Sequence, residues 1–318
     1  MSSDDPGYRA LRESAAWLDL TGRGLIRVTG EDCARLLHAL SSNHVEQLQA
    51  GEGCYAFFLN AQGRILADVN ILRRANHFLL DTEPERARFV CGHLEKHIIA
   101  DDVTLEDLTA QTAVLGVEGP RAAEVLATLG APRPEALCQH ARWGEGGVAR
   151  LSFTGAPGWR IFAPASEEEA LAGRLEQAGA VAADPDAIRT VRLENGKPRY
   201  GEDLSEKHLP QETQLLHAMH FSKGCYLGQE IVERVRSRGH VHWALVRLAV
   251  EAVAPPPPGT RILAGDAEAG EISSAAFSPA LGKVVALGYL RPEALLPGVA
   301  LTASGAPVEV TAAKPMEG

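Results

Sequence analysis

Runs of apolar residues broken by polar turns divide the chain into short alternating elements. An opening helix over Pro6 to Ala16 precedes GLIRVTG, a strand-like run leading into a second helix with the apolar stripe Leu36, Leu37 and Leu40. Thr29 and Asp32 stand where a capping box would start that helix. CYAFFLN and ILADVNILRR, separated by a polar AQGR turn at Gly63, predict a hairpin, and HFLLDTE a further short strand. Pro84 opens a helix through RARFVCGHLEKHI that packs on Phe89, Leu94 and Ile98. Strand-like TAVLGVEG follows, then a helix begun at Pro120, and VARLSFTG and WRIFAP as paired strands around GAPG. EEEALAGRLEQAG is a helix with acids in its first turn, where the helix dipole favours them. VRLE, ahead of the turn dipeptide Asn195-Gly196, has strand character.

Such alternation, without a strict βαβ series, predicts an α+β body. The clearest break is Glu251 to Gly259, EAVAPPPPG, because consecutive prolines cannot sit in a helix or a central strand. Beyond it, short strands with glycine and proline turns (TRILAG, EAGEISSAAF, KVVALGYL, VALTAS, PVEVTA) predict a small β-barrel. No internal repeat is evident.

At 318 residues the chain exceeds one ordinary core and predicts two or three domains. Its 45% hydrophobic and 23% charged content is that of a soluble globular protein, and a net charge of −10 disfavours nucleic-acid binding. Five scattered cysteines without a CxxC pair, and an N-terminus lacking a secretory pattern, predict a reducing, cytoplasmic setting. No apolar run approaches membrane-spanning length, so no membrane partner is expected.

The chemistry concentrates in KGCYLGQEIVERVRSRG, Lys223 to Gly239. Cys225 stands near Gly224 and Gly228, which permit tight turns and leave a sulfur uncrowded, and ahead of Arg234, Arg236 and Arg238. Nearby positive charge raises the thiolate fraction of a cysteine. A single thiol cannot hold an iron–sulfur cluster alone, so any cluster role would be transient or shared. Cys91, His93 and His97 have partial zinc spacing, but an amphipathic helix explains them better, as it does His208, His217 and His220; no metal site is expected. Glu194 precedes a turn and could accept paired hydrogen bonds from an amidine-like edge such as a pterin. Asp68, among apolar neighbours, could face a pocket. No P-loop, GxGxxG, GxSxG or HExxH is present.

KGCYLGQEIVERVRSRG resembles the signature of YgfZ-type folate-binding proteins, roughly K-G-C-aromatic-x-G-Q-E followed by spaced basic residues and glycine. Lys223, Gly224, Cys225, Tyr226, Gly228, Gln229, Glu230, Arg234, Arg238 and Gly239 fit it; Glu233 falls where a small residue is common. Nearly the whole chain is similar to the wider superfamily of the glycine-cleavage T-protein (aminomethyltransferase), through FFLNAQGRILADVNIL, VRLENGKPRYGEDL, SFTGAPGWRIFAP and EISSAAFSPALGKVVALGYL. That resemblance implies three domains in a ring around a folate channel. Residues 1–239 would form two interleaved α+β folate-binding subdomains, split near 110, and residues 240–318 a C-terminal β-barrel.

The resemblance further implies tetrahydrofolate or a related reduced folate as ligand, held by Glu194 at the pterin, with Asp68 near the reactive nitrogens and Tyr200 beside them. Cys225 would be the functional thiol, its loop shaped by the other motif residues. Where aminomethyltransferases carry adjacent aspartates this chain has Ala67-Asp68, and Arg64 replaces their second glycine. The leading expectation is therefore a monomeric folate-binding factor supporting assembly or repair of iron–sulfur clusters in transient client proteins. The alternative is a folate-dependent aminomethyltransferase or demethylase.

Overall fold

The computed structural model of the protein describes residues 5–239 and 241–312. Two sheets and a barrel carry the chain. One sheet has five strands, in the order Gly53–Leu59, Ile65–Arg73, Phe78–Thr82, Gly24–Thr29 and Thr104–Asp107. The other has six: Val181–Ala182, Ala16–Asp19, Thr112–Glu118, Gly158–Pro164, Gly147–Ala149 and His140–Ala141. The chain thus visits the six-stranded sheet at Ala16–Asp19, builds the five-stranded sheet, and returns at Thr112.

The sheets are joined by one apolar cluster. It contains Leu25, Leu72 and Leu79 from the five-stranded sheet, and Leu18, Val114 and Phe162 from the six-stranded one. Side chains alternate faces along a strand, so each strand contributes a row of every second residue to this layer. Arg23, Leu25 and Arg27 form one such row, and Arg160 and Phe162 another.

Six strands close the C-terminal barrel: Ala244–Val250, Lys283–Leu290, Ala267–Ser278, Arg261–Ala264, Leu301–Ala303 and Ala306–Ala312. Closure leaves no free sheet edge. The proline run does not precede this barrel; it is the connection from its first strand, Ala244–Val250, to Arg261–Ala264. Prolines lack the donors a ladder needs, so they are accommodated between strands.

Three local expectations are corrected. VRLE is not a strand but the end of the helix Pro185–Glu194. Asp184 accepts from the Ala187 amide at 2.7 Å, Pro185 sets the first turn, and Ala187, Ile188 and Val191 face the core at helical spacing. The opening helix stops at Glu13, since Ala16 already pairs with Glu118 in the six-stranded sheet. Asp32 makes no side-chain cap to the helix Cys33–Leu40; its carboxylate is drawn to the Asp102 amide, 2.9 Å, and to Arg35. The Gly63 hairpin forms as expected, with Gly63 at φ +70°.

Candidate functional site

A small cavity of about 50 Å³ lies at one end of the inter-sheet layer, lined among others by Tyr55, Asp68, Arg160, Lys197 and His217. Asp68 comes from the strand Ile65–Arg73, whose burial alternates, so it points to the opposite face from Ala67 and Val69. The Tyr55 hydroxyl donates to Asp68 Oδ2 at 2.9 Å. Asp68 Oδ1 is buried without a partner, and so is the Nε of Arg160 in the same wall. Both residues line the cavity, and a buried acceptor and a buried donor left unmet are costly in a folded protein.

The electrostatics follow from a buried charge cluster, Arg23, Asp81, Glu83, Arg160 and Arg199, of which all but Asp81 line the cavity. Asp81 is held by Arg23 at 2.6 Å and by Arg160, while Glu83 takes Arg23 at 2.6 Å and Arg199 at 2.7 Å. Those guanidinium groups overcome the burial of Asp81 and Glu83 and keep both carboxyls below their usual range. Asp68 has no such pairing. Burial first, then the charge of Glu83, pushes it up to about 6. Burial lowers Lys197 and takes His217 down to about 4. The site thus offers a carboxyl poised to exchange a proton near neutral pH, beside a neutral imidazole and a tyrosine hydroxyl.

Glu194 and Tyr200 are not brought to this cavity. Glu194 Oε1 accepts from the Tyr8 hydroxyl at 2.5 Å and the Ser278 hydroxyl at 2.6 Å, and Arg12 binds Oε2. Oε1 thus ties the first helix to the barrel, while Oε2 holds the first helix alone. The Tyr200 hydroxyl lies 3.3 Å from the Ile65 carbonyl and accepts from Arg86 at 2.8 Å. The residues missed from sequence are Tyr55, Arg160, Lys197 and His217. A signal existed for Tyr55, which alternates with Phe57 on a strand paired with that of Asp68.

The motif loop forms a second feature. Lys223 is buried, and its Nζ donates to the Ser41 carbonyl at 2.5 Å and to that of His38, closing the end of the helix Cys33–Leu40. The ammonium also sits 4.8 Å from the Tyr226 ring centre, and burial takes it down to about 8. Gly224 has φ +96° with nothing crowding it, whereas Gly228 has φ +84° and lies against the Asn60 carbonyl. Gln229 Oε1 accepts from the Tyr226 amide at 3.2 Å.

Cys225 is exposed, while the other four cysteines are buried or partly so. Of the expected arginine neighbours, Arg234 pairs with Glu230 at 2.5 Å and Arg236 with Glu233 at 3.3 Å, along the helix Gln229–Arg238. The side chain of Arg238 lies outside those described. Cys225 does not line the Asp68 cavity, but the segment leading to it does: His217 is in the wall, and its carbonyl accepts from Asn43 at 2.8 Å.

Among the described residues no group of three or more His, Cys, Asp and Glu is placed to hold a metal, and no helix is long and apolar enough to cross a membrane. Residues 5–223 match the family model for the GCVT N-terminal domain, and residues 244–316 match the glycine cleavage T-protein C-terminal barrel domain. The aminomethyltransferase of Rubrobacter xylanophilus is 31% identical over 293 residues, covering 90% of this chain and 78% of that protein. That of Streptomyces coelicolor is 30% identical over 333 residues, covering 98% and 88%. The crystal structure of glycine cleavage system aminomethyltransferase T from Bartonella henselae has the same fold, with TM-score 0.88 at 23% identity, over 98% of this chain and 88% of that one.

Proposed function

The chain belongs to the glycine cleavage T-protein family, and on that premise we propose that it binds a reduced folate in the Asp68 cavity and transfers a one-carbon unit, as an aminomethyltransferase-type enzyme. One observation carries the reading: the buried, unpartnered Oδ1 of Asp68 and Nε of Arg160 belong to residues that line the same cavity. Together they offer an acceptor and a donor, the pairing a pterin edge requires. The relatives named aminomethyltransferase support transfer over the iron–sulfur expectation. The cavity itself has room for only a few waters, so folate entry requires the side chains at its rim to move.

When bound, tetrahydrofolate supplies nucleophilic nitrogens that accept the one-carbon unit. Asp68 would hold or release a proton at those nitrogens, and Tyr55, by donating to Oδ2, fixes the carboxyl so that Oδ1 is presented. Arg160 stays anchored by Asp81 while its Nε remains available. Ala67, on the opposite face of the strand, does not line the cavity, so this proton work falls to the single carboxyl of Asp68.

The test is methylene transfer from an aminomethylated lipoyl carrier to tetrahydrofolate. Wild-type turnover is expected, with Asp68→Asn lowering kcat by roughly 10²-fold and weakening tetrahydrofolate binding as well. No turnover by wild-type protein that binds tetrahydrofolate would remove the transferase reading and leave folate binding.

A second reading is favoured by the exposed Cys225 on its Lys223-anchored loop, outside the cavity wall. In it, the folate-bound protein supports iron–sulfur client enzymes through that thiol. A strain lacking the protein would then show reduced radical-SAM enzyme activity, restored by wild type and not by Cys225→Ser. Full restoration by Cys225→Ser excludes this role.

A further inference from the structure

The inter-sheet layer has two ends, and only one is the Asp68 cavity. Beyond the apolar rungs Leu25, Leu79 and Phe162, the same rows of side chains open into a second cleft of about 820 Å³. The two cavities share no lining residue. At the first end the row residues Arg23 and Arg160 are neutralised by Asp81 and Glu83. At the second, three arginines, Arg27, Arg74 and Arg142, face a single lining carboxylate, Glu145.

Arg74 is the distinctive member. Arg27 is paired with Glu106, and Arg142 donates to the Gly144 carbonyl at 3.3 Å. Among the described residues, the half-buried Arg74 guanidinium makes neither an ion pair nor a side-chain hydrogen bond. It is held 5.8 Å from the Phe162 ring centre and against Gly147, where an added Cβ would come within 2.5 Å of Nη1. The same Cβ would meet the Ala141 carbonyl at 2.7 Å, so the backbone here requires glycine, and the space beside it is filled by an arginine that has no anion. Burial, with no carboxylate to oppose it, pulls Arg74 down to about 10, and the same guanidinium helps lower His77 and His140.

We propose that this cleft is a second binding site, for a small molecule with an apolar body and one anionic group, in which Arg74 takes the carboxylate or phosphate and the half-buried Leu108 and Pro164 take the body. A planar guanidinium binds either oxyanion through two parallel hydrogen bonds, and an apolar wall with a few polar and charged groups placed on it is the usual form of a small-molecule site. The site is independent of the folate reading, because it uses none of that cavity's residues.

The experiment titrates the full chain with benzoate, phenyl phosphate and neutral benzamide, following ¹⁵N–¹H signals that include the Arg74 Nε. Saturable binding of at least one anion is expected, with shifts at Arg74 and residues 74–77 and 140–146, and benzamide at least tenfold weaker. Preference between the two anions tells a carboxylate ligand from a phosphate one. Arg74→Gln should weaken the anion at least tenfold without altering the melting temperature of the protein by more than a few degrees. The wild-type shift map locates the site even if that variant fails to fold. Benzamide binding as well as the anions, shifts confined to the Asp68 cavity, no saturable binding, or a folded Arg74→Gln that binds normally would each overturn the assignment.

Discussion

Arg160 of the six-stranded sheet binds Asp81 of the five-stranded sheet, and both side chains are almost wholly buried. Arg23 closes the other side of the same carboxylate at 2.6 Å, and Asn70 donates to it at 3.1 Å. A buried ion is tolerated only when its partners replace water on every side. The cluster therefore fixes the two sheets at the end of the layer where the Asp68 cavity lies.

Asp81→Asn keeps the volume but strands the buried Arg160 guanidinium and takes from Arg23 one of its two carboxylates. Breaking a buried pair in this way costs about 3–5 kcal/mol. Urea unfolding should show a loss of that order. A loss below about 1 kcal/mol, the value of an exposed pair, would mean the cluster does not hold the sheets.

The raised pKa of Asp68 has a pH signature with a definite sign. Burial and then Glu83 move this carboxyl from 3.8 to about 6. Between those values the folded protein keeps a proton that the unfolded chain releases, so rising pH favours the unfolded state. The contribution is full below pH 3.8, declines up to about 6, and is flat above. Asp68→Asn has no such decline. Melting temperatures from about pH 4 to 8 should show the variant gaining on wild type up to about pH 6 and then running parallel. A constant difference throughout would place the Asp68 carboxyl in the ordinary range.

How much of this was legible in the sequence varied with the distance over which each feature is decided. Asp68 could be singled out because an acid in an apolar alternating strand is a local contradiction. The hairpin at Gly63 and the barrel strands were equally local. Glu194 could not be placed, because its partners Tyr8 and Ser278 are far away in the chain and arrive only when the first helix docks on the barrel. The helix Pro185–Glu194 was mistaken for a strand through its valine and leucine, although Asp184-Pro185 is a helix-start signal. The arginines after Cys225 looked like an electropositive surround, but Glu230 and Glu233 at helical spacing claim two of them.

Gly224 and Gly228 separate two reasons for a glycine in one loop. Both have positive φ, so alanine strains either backbone by roughly 1–2 kcal/mol. At Gly224 nothing lies within 4 Å of an added Cβ, whereas at Gly228 it would meet the Asn60 carbonyl oxygen at 2.6 Å and the Gly63 Cα at 3.3 Å. Gly224→Ala should lose only the backbone increment in urea unfolding. Gly228→Ala should lose clearly more, because the helix Gln229–Arg238 is pushed off the hairpin turn. Equal losses would mean that the contact between helix and turn adds nothing.

Cys225 should be the one thiol that reacts in the native protein. It is exposed, whereas Cys33 and Cys138 are buried and burial pushes Cys54 up to about 12 and Cys91 up to about 11. The thiolate is the reactive form, so the latter two are suppressed both by access and by ionisation. Iodoacetamide near neutral pH should add one group to the native chain and five after denaturation, counted by mass spectrometry. Cys225→Ser should take none while native. Because Cys225 is not in the wall of the Asp68 cavity, the labelled protein should bind tetrahydrofolate as the unlabelled one does. A second native label would show the Cys54 or Cys91 environment to be open, and loss of folate binding on labelling would join the motif loop to the cavity in one site.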